Sequence, residues 1–280
     1  MVFGSFNLNS ETPNLKWTFQ GRNVTYTAGD NLKPNPIDSV TPWGQTFNNN
    51  GTQFYILQTG ADDSNVFTLS RPYDLTSVTS AVAFTPPGVH QWSGVSFSPD
   101  YKYYVAAANS TTVYVYRCAT RGVIGASDTF ITSLFTATIG TVQSISWSGQ
   151  NYIFTIDGNY LISKLLFSES AGTLTYTGQQ VDVSGLSSSR GLIVNQAGTK
   201  MFISDTTANK SIYEYYLRTP YDLTTYVLAP QSIGVAALVT DEPATMASTE
   251  ISTNPDMSCI YVGDFSTSIA NARVYQLRIK

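Results

Sequence analysis

The sequence predicts an all-β protein, a single β-propeller of about five four-stranded blades. Three observations predict it: a strand template that recurs about every fifty residues, a strand-forming composition, and no stretch with helical periodicity. Of the 280 residues, only 12% are charged while 13% are aromatic, with 18 tyrosines. Since aromatic residues fit pleated, half-buried surfaces, this composition favours strands.

The repeated template is a strand, a tight turn, a nearly continuous apolar strand, a polar loop and an alternating strand. It occurs five times, at residues 46–69, 95–118, 145–167, 192–217 and 250–277. The turn position is held by Gly51, Tyr101, Gly149, Gly198 and Met257, at intervals of 50, 48, 49 and 59 residues. A near-constant spacing over most of the chain is typical of one structural unit used repeatedly.

Each element of the template has a physical reason. The turns NNNG, SPDY, QAGT and NPDM contain residues that tolerate a positive φ or, for proline, fix φ in advance. The following apolar runs, such as FYILQ and YYVAAA, predict strands buried on both faces. The third runs alternate, as in VYVYR, and therefore predict one buried and one wetter face.

A fourth strand follows in each of the first four units, whereas the fifth unit ends at LRIK, directly after its third strand. We therefore expect residues 1–36 to supply the missing strand and close the ring, with residues 37–280 forming the repeats. Six blades are possible if residues 1–36 form a degenerate blade. A pair of β-sandwiches is the main alternative fold, but five-fold recurrence disfavours it.

The phrase Pro-Tyr-Asp-Leu-Thr occurs twice, between the third and fourth strands of units one and four. Pro72 and Pro220 suit the second position of a turn, and Asp74 and Asp222 can accept backbone hydrogen bonds two residues on. With Tyr73 and Tyr221, these residues are interpreted as structural turns rather than as a binding motif.

The longer phrases SIYEYYLRTPYDLTT (211–225) and VFTLSRPYDLTS (66–77) resemble a repeat of bacteriophage-encoded β-propeller proteins. Units two, three and five lack the phrase, so the resemblance at motif level covers two units. SPDYKYYVAAAN also resembles the wider class of YVTN-like and WD40-like propeller repeats. The resemblance implies a propeller fold and a phage-related origin, and it implies little about function.

No catalytic set is evident in the sequence. His90 is the sole histidine, no Cys/His cluster has zinc spacing, and Cys118 and Cys259 are interpreted as buried thiols. We predict no cofactor, no metal and no catalytic residues. The alternative is a propeller hydrolase with an axial metal, for which Glu250 and Asn195 are the acidic and amide groups at the innermost strands. A formal charge of −4 argues against a nucleic-acid partner, and no run is long enough to insert into a membrane.

The loops that lead into the innermost strands are the candidate binding surface. Trp43 and Trp92 lie eight and nine residues before their turn positions, and Arg190 lies in the slot of Trp43. Together with His90, these residues suit a sugar or protein ligand, because aromatic rings offer a large contact area. The alternative is that both tryptophans fill the space between blades.

The function predicted from these observations is a non-enzymatic virion protein, made in the host cytoplasm without a signal peptide. It would be a structural capsid or tail component, or a receptor-binding, adhesin-like one. Its partners would be other virion proteins, with a glycan or protein of the host surface as a further ligand. A general scaffold for protein–protein interaction is the remaining alternative.

Overall fold

The computed structural model shows the five-bladed β-propeller that the sequence predicts. The structure describes residues 18–19, 22–25, 31–32, 43–57, 64–88, 92–108, 112–135, 140–149, 151–186, 189–206, 210–238, 248–264 and 273–279. Blades 1 to 4 are antiparallel four-stranded sheets in which the strands follow chain order from the axis outward. The fold prediction is confirmed.

Blade 1 consists of β4 (Gly44–Phe47), β5 (Gln53–Leu57), β6 (Ser64–Leu69) and β7 (Val78–Phe84). Blade 2 consists of β8 (Trp92–Phe97), β9 (Tyr103–Ala108), β10 (Thr112–Arg117) and β11 (Thr129–Phe135). Blade 3 consists of β12 (Val142–Ser148), β13 (Tyr152–Asp157), β14 (Leu161–Ser168) and β15 (Thr173–Asp182). Blade 4 consists of β16 (Ser189–Val194), β17 (Lys200–Asp205), β18 (Ser211–Leu217) and β19 (Tyr226–Gly234).

Blade 5 combines both ends of the chain. It consists of β20 (Ser248–Thr253), β21 (Cys259–Asp264) and β22 (Arg273–Ile279), with the N-terminal strands β1 (Thr18–Phe19), β2 (Arg22–Thr25) and β3 (Asn31–Leu32). The outer edge of β22 pairs with β2 near Ile279 and with β3 near Val274, and β1 pairs with β2. The described N-terminal strands thus supply the outer strand of the last blade, which covers an edge that would otherwise be open.

The innermost strands β4, β8, β12, β16 and β20 form a closed ring around the axis. Each contacts the innermost strand of the next blade, and β20 contacts β4. Five hydrophobic clusters fill the five seams between neighbouring blades. The second strands are the most buried, as shown by β21, whose six residues are all buried. The near-continuous apolar runs of the sequence reflect this burial on both faces.

All five turn positions identified in the sequence have a positive φ. The values are 70° for Gly51, 56° for Tyr101, 61° for Gly149, 66° for Gly198 and 55° for Met257. A left-handed residue at the same place in every blade shows that the hairpins share one geometry. Helical structure in the described residues is limited to one turn of α-helix, α1 (Val235–Leu238), and two 3-10 turns, Leu75–Ser77 and Leu223–Thr225.

Each of the two YDLT phrases folds back onto the inner hairpin of its own blade. The amide of Tyr73 donates to Gly51 O at 2.8 Å, and the amide of Tyr221 donates to Gly198 O at 2.8 Å. Each tyrosine ring also lies against that glycine, where a Cβ atom would come within 2.4 Å of the Tyr73 ring and 2.2 Å of the Tyr221 ring. These contacts hold the loop between the third and fourth strands against the turn between the first and second strands.

The rest of the phrase caps the turn that follows. Asp222 accepts hydrogen bonds from Thr224 N at 3.0 Å and Thr224 Oγ1 at 2.7 Å, and Asp74 bonds Thr76 in the same way. Pro220 is the second residue of the turn closed by Asp222 N and Thr219 O at 3.1 Å, and Pro72 has the same position before Asp74. The structure places all six phrase residues in structural turns.

Candidate functional site

A cavity runs along the propeller axis. Its volume is about 370 Å³, and all five innermost strands line it. The hairpin turns that follow these strands also line it, through residues such as Asn49, Tyr101 and Gln196. The cavity therefore lies toward the inner-hairpin face, whereas the sequence placed the candidate site at the opposite ends of the same strands.

A layer of small residues lets the innermost strands approach closely at the start of the cavity. In four blades, this position lies three residues before the end of the pairing between the first two strands, and in blade 3 it lies four residues before it. A Cβ atom on Gly44 would lie 3.0 Å from Gly94, and one on Gly191 would lie 2.8 Å from Ile251 N. Glycine at these sites is thus required by backbone contact between blades. The five residues of the layer are Gly44, Gly94, Ser144, Gly191 and Glu250.

Glu250 is the exception in this layer and lies in the interior with 2% exposure. Ser144 Oγ donates to Glu250 Oε1 at 2.9 Å and accepts from Leu192 N at 3.0 Å. Because Ser144 belongs to blade 3 and Glu250 to blade 5, this hydrogen bond crosses the axis. Burial raises the pKa of Glu250 well above its usual value, while the bond from Ser144 and the Ile251 amide act in the opposite direction. Burial therefore favours the neutral form of the carboxyl group.

Gln45 forms hydrogen bonds across the seam between blades 5 and 1. Its Nε2 donates to Tyr261 O at 2.9 Å and to Glu250 O at 3.4 Å, so the orientation of the amide is determined. Its side chain is 2% exposed. The corresponding residues of the other four blades are aliphatic: Val95, Ile145, Leu192 and Ile251.

Serine side chains connect other seams of the ring. Ser96 Oγ accepts from Trp147 N at 2.9 Å between blades 2 and 3, and Ser146 Oγ accepts from Val194 N at 3.0 Å between blades 3 and 4. Ser252 has the same position in blade 5, facing blade 1. Its hydroxyl is buried and has no hydrogen-bond partner in the described part of the chain.

Trp43 and Arg190 lie together at the other end of the innermost strands. The Arg190 guanidinium carbon is 5.3 Å from the centroid of the Trp43 ring. Trp43 precedes β4 of blade 1 and Arg190 lies in β16 of blade 4, so this contact also spans the axis. Both side chains are half-buried.

Trp92 lies elsewhere, in the seam between blades 1 and 2. Its side chain is 2% exposed, with Tyr114 and Tyr116 rings at 6.1 and 6.3 Å. This is the space-filling placement that the sequence left open as an alternative. Trp43 and Trp92 were expected to occupy equivalent places, but their side chains lie in different environments. His90 lies outside the described residues, so its role as a binding residue stays a prediction.

The groups considered for an axial metal are not brought together as a ligand set. Asn195 Oδ1 accepts from Thr199 N at 2.8 Å and Lys200 N at 3.0 Å, so this amide stabilises its own hairpin. Glu250 is the one carboxylate among the described residues lining the cavity. The described chain contains no group of three histidine, cysteine, aspartate or glutamate side chains arranged for a metal ion.

Sequence reasoning treated Glu250 only as a metal ligand and did not identify Gln45, Ser144 or Ser252. The available signal was positional. Where the repeat is aligned on its innermost strands, an acidic residue stands where three other blades have glycine, and an amide stands where the others are aliphatic. Polar residues at such positions are either paired or exposed to a ligand.

The fold defines the class of protein: the chain is a five-bladed β-propeller. No family model matches it, and no curated protein matches it. Among solved structures, it is similar to the β-propeller domain of Cps50 (Swd1) from Myceliophteria thermophila, with 11% identity and a TM-score of 0.46, covering 80% of this chain and 66% of that one. It is also similar to Raptor from Chaetomium thermophilum, with 6% identity and a TM-score of 0.44, covering 85% of this chain and 19% of that one. These likenesses carry no argument about function.

None of the helices in the described ranges has the length and apolar character needed to cross a membrane. Both cysteines are free thiols, with Cys259 buried and Cys118 half-buried. Burial raises the pKa of the Cys118 thiol to about 12, which disfavours the reactive thiolate.

Proposed function

We propose that the chain is a non-enzymatic bacteriophage virion protein whose propeller serves as a protein-binding, architectural component of the particle. Its partners are other virion proteins, and its place is the assembled particle. The phage origin rests on the resemblance of residues 66–77 and 211–225 to the repeat phrase of phage-encoded propellers.

The placement of the tryptophans favours an architectural role over an adhesin-like one. A glycan-binding surface requires exposed aromatic faces on which a sugar ring can stack. Trp92 is 2% exposed, and one face of Trp43 is occupied by Arg190. Trp43 and Trp92 therefore do not form one exposed surface on which a sugar could stack.

The chemistry of the axial cavity also supports a binding role. Its described lining is dominated by aromatic, aliphatic, hydroxyl and amide side chains, with Glu250 as the one strongly acidic or basic group. A hydrolase with an axial metal would need several converging oxygen ligands. The lining supplies one buried carboxyl group, whose raised pKa opposes the ionised form that a metal requires.

The test is to express the chain together with the genes that flank its coding sequence, to purify any particles that form, and to quantify the chain in them by mass spectrometry. We expect the flanking genes to encode capsid and tail proteins. We also expect the chain to be incorporated stoichiometrically into the purified particles. Recovery of the chain only outside particles, bound to cellular proteins, would contradict the proposal and favour a general scaffold.

A glycan array separates the architectural role from the adhesin-like one. We expect no saturable glycan binding by the wild-type protein. Saturable binding that is lost in Trp43→Ala, but kept in the matched outer-strand variant Phe135→Ala, would overturn the architectural assignment. Phe135 is a suitable control because it is 70% exposed and lies on β11, the outermost strand of blade 2.

A further inference from the structure

The hairpin between the first two strands of blade 1 contains the one Asn-Gly pair of the sequence, Asn50-Gly51. Both residues lie in the turn between β4 and β5, and Asn50 is exposed to solvent. An asparagine followed by glycine can lose its side-chain amide, because the glycine nitrogen attacks the carboxamide carbon and no Cβ atom hinders the approach. The residue types of this turn therefore permit a change of covalent structure.

The carboxamide of Asn50 is held and polarised by Thr52. Asn50 Oδ1 accepts from Thr52 N at 3.1 Å and from Thr52 Oγ1 at 2.6 Å. The bond to the backbone closes a small ring that contains both the carboxamide carbon and the Gly51 nitrogen. Two donors thus stabilise the oxygen that takes on negative charge during attack, as in an oxyanion hole. The Gly51 amide donates to Asn48 O at 3.2 Å, and the attack replaces this hydrogen bond.

The equivalent residue of blade 5 is already an aspartate. Asp256 directly precedes the left-handed Met257, as Asn50 precedes the left-handed Gly51. Asp256 Oδ1 accepts from Ser258 N at 3.0 Å and from Ser258 Oγ at 2.8 Å, which are the bonds that the Asn50 oxygen makes to Thr52. Blade 2 has the same backbone bond, with Asp100, Tyr101 and Lys102. The hairpin can therefore hold an aspartate at this position without a change of geometry.

We propose that Asn50 is a self-modification site that deamidates in the folded protein. Gly51 N forms a bond to Asn50 Cγ as the Cγ–Nδ2 bond breaks, and the Nδ2 group leaves as ammonia with the proton from Gly51 N. Water then opens the cyclic imide. Cleavage of the bond from Cγ to nitrogen gives aspartate, whereas cleavage of the bond from the backbone carbonyl carbon gives isoaspartate. The inference goes beyond the proposed function and does not depend on the chain being a virion protein.

The two products should affect the blade differently. Aspartate keeps the backbone, so Tyr73 N can still donate to Gly51 O. Isoaspartate inserts a methylene group into the backbone directly before Gly51, where even a Cβ atom would come within 2.4 Å of the Tyr73 ring. It should therefore loosen the contact between the outer loop and the hairpin. Both products place a carboxylate next to Asn49, which lines the axial cavity.

The experiment follows the full-length protein during incubation in a mildly alkaline buffer, which favours loss of the Gly51 amide proton. Chymotrypsin, applied after denaturation, cleaves after aromatic residues and releases residues 48–54. Tandem mass spectrometry of this peptide locates the change from amide to acid, and a sample taken before incubation corrects for conversion during digestion. We expect conversion at Asn50. Asn49 is the internal control and should stay unmodified, because it is equally exposed but is followed by a residue with a side chain.

Two variants at Thr52 test whether the fold assists the reaction. Thr52→Val removes the hydroxyl donor and keeps the branched shape, so conversion should slow about threefold or more, the effect of one hydrogen bond. Thr52→Ser keeps the hydroxyl and should convert like the wild type. Asn50→Asp represents the first product, and its midpoint of urea unfolding should equal that of the wild type. The fraction that contains isoaspartate should unfold at a lower urea concentration.

Conversion that occurs only when the protein is unfolded in urea, or no conversion at all, would overturn the proposal. Equal rates in the wild type and Thr52→Val would overturn the assistance assigned to the hydroxyl group. A clearly lower urea midpoint for Asn50→Asp would contradict the equivalence with the aspartates of blades 2 and 5. Circular dichroism checks that the Thr52 variants fold, and the rate in the wild type decides the central point without them.

Discussion

Arg190 of blade 4 lies over the ring of Trp43 of blade 1, with 5.3 Å between the guanidinium carbon and the ring centroid. Blade 5 stands between these two blades in the ring, so the contact spans the propeller axis. With the hydrogen bond from Ser144 to Glu250, it makes two side-chain bridges across the axis.

The Trp43–Arg190 bridge should contribute measurable but modest stability. We expect Arg190→Ala to lower the free energy of unfolding by about 0.5–1 kcal/mol, because both side chains are half-buried and cation–π contacts at such sites are weak. Urea unfolding measures the change. A double-mutant cycle with Trp43→Ala should give a coupling energy of the same size, and a coupling of zero would show that the two side chains do not interact.

Trp92 should be far more important for stability than Trp43. Removing a buried aromatic side chain leaves a cavity, so Trp92→Ala should cost about 3–5 kcal/mol, with Trp92→Phe costing less. Trp43→Ala is the matched control, since its ring is half-buried, and its cost should stay near 1 kcal/mol. Similar costs for the two alanine variants would contradict the different placement of the rings.

Gly198 should be one of the least replaceable glycines. Gly198→Ala places a methyl group at φ +66° and against the Tyr221 ring, and the cost should be about 1–3 kcal/mol or more. Two glycines in open space serve as controls. Gly178→Ala has the positive φ of +81° without a contact, and Gly185→Ala has neither constraint.

The expected order of the free energy lost is Gly198→Ala, then Gly178→Ala, then Gly185→Ala, measured by urea unfolding. If Gly198→Ala and Gly178→Ala lower the free energy of unfolding equally, the loss comes from the positive φ alone. The contact between the Tyr221 ring and the hairpin would then contribute nothing to the rigidity of the joint.

Asp222 should make the outer turn of blade 4 sensitive to acid. The hydrogen bonds from Thr224 lower the pKa of Asp222 in the folded protein. The stabilisation is therefore complete above the unfolded-state pKa near 4 and is lost as the pH falls through the lower folded-state pKa. Unfolding of wild type and Asp222→Asn should differ at neutral pH and converge in this acid range. A difference that is constant from neutral pH to below pH 3 would contradict the assignment.

Much of the fold could be predicted from sequence because its signals are local. The five turn positions follow from the spacing of the repeat, and the buried second strands follow from the apolar runs within it. The closing of the last blade could be predicted because only the N-terminal segment remained to pair with β22.

The site could be predicted less well because it depends on single-residue register. Trp43 and Arg190 each lie eight residues before the turn residue of their blade, whereas Trp92 lies nine residues before its turn residue. Since side chains alternate along a strand, one residue moves the ring from the axis to the seam, and a pairing irregularity between Trp92 and Gly94 adds to the change. The axial polar cluster combines blades that are far apart in sequence, so no local pattern identifies it.

The most direct test of the axial site is the titration of Glu250 followed by ¹³C NMR of the side-chain carboxyl carbons. The resonance is assigned as the glutamate signal that disappears in Glu250→Gln. We predict that it titrates well above the usual value of 4.5, because burial disfavours the charged carboxylate. A Glu250 carboxyl group that titrates together with the exposed glutamates would contradict its burial on the propeller axis.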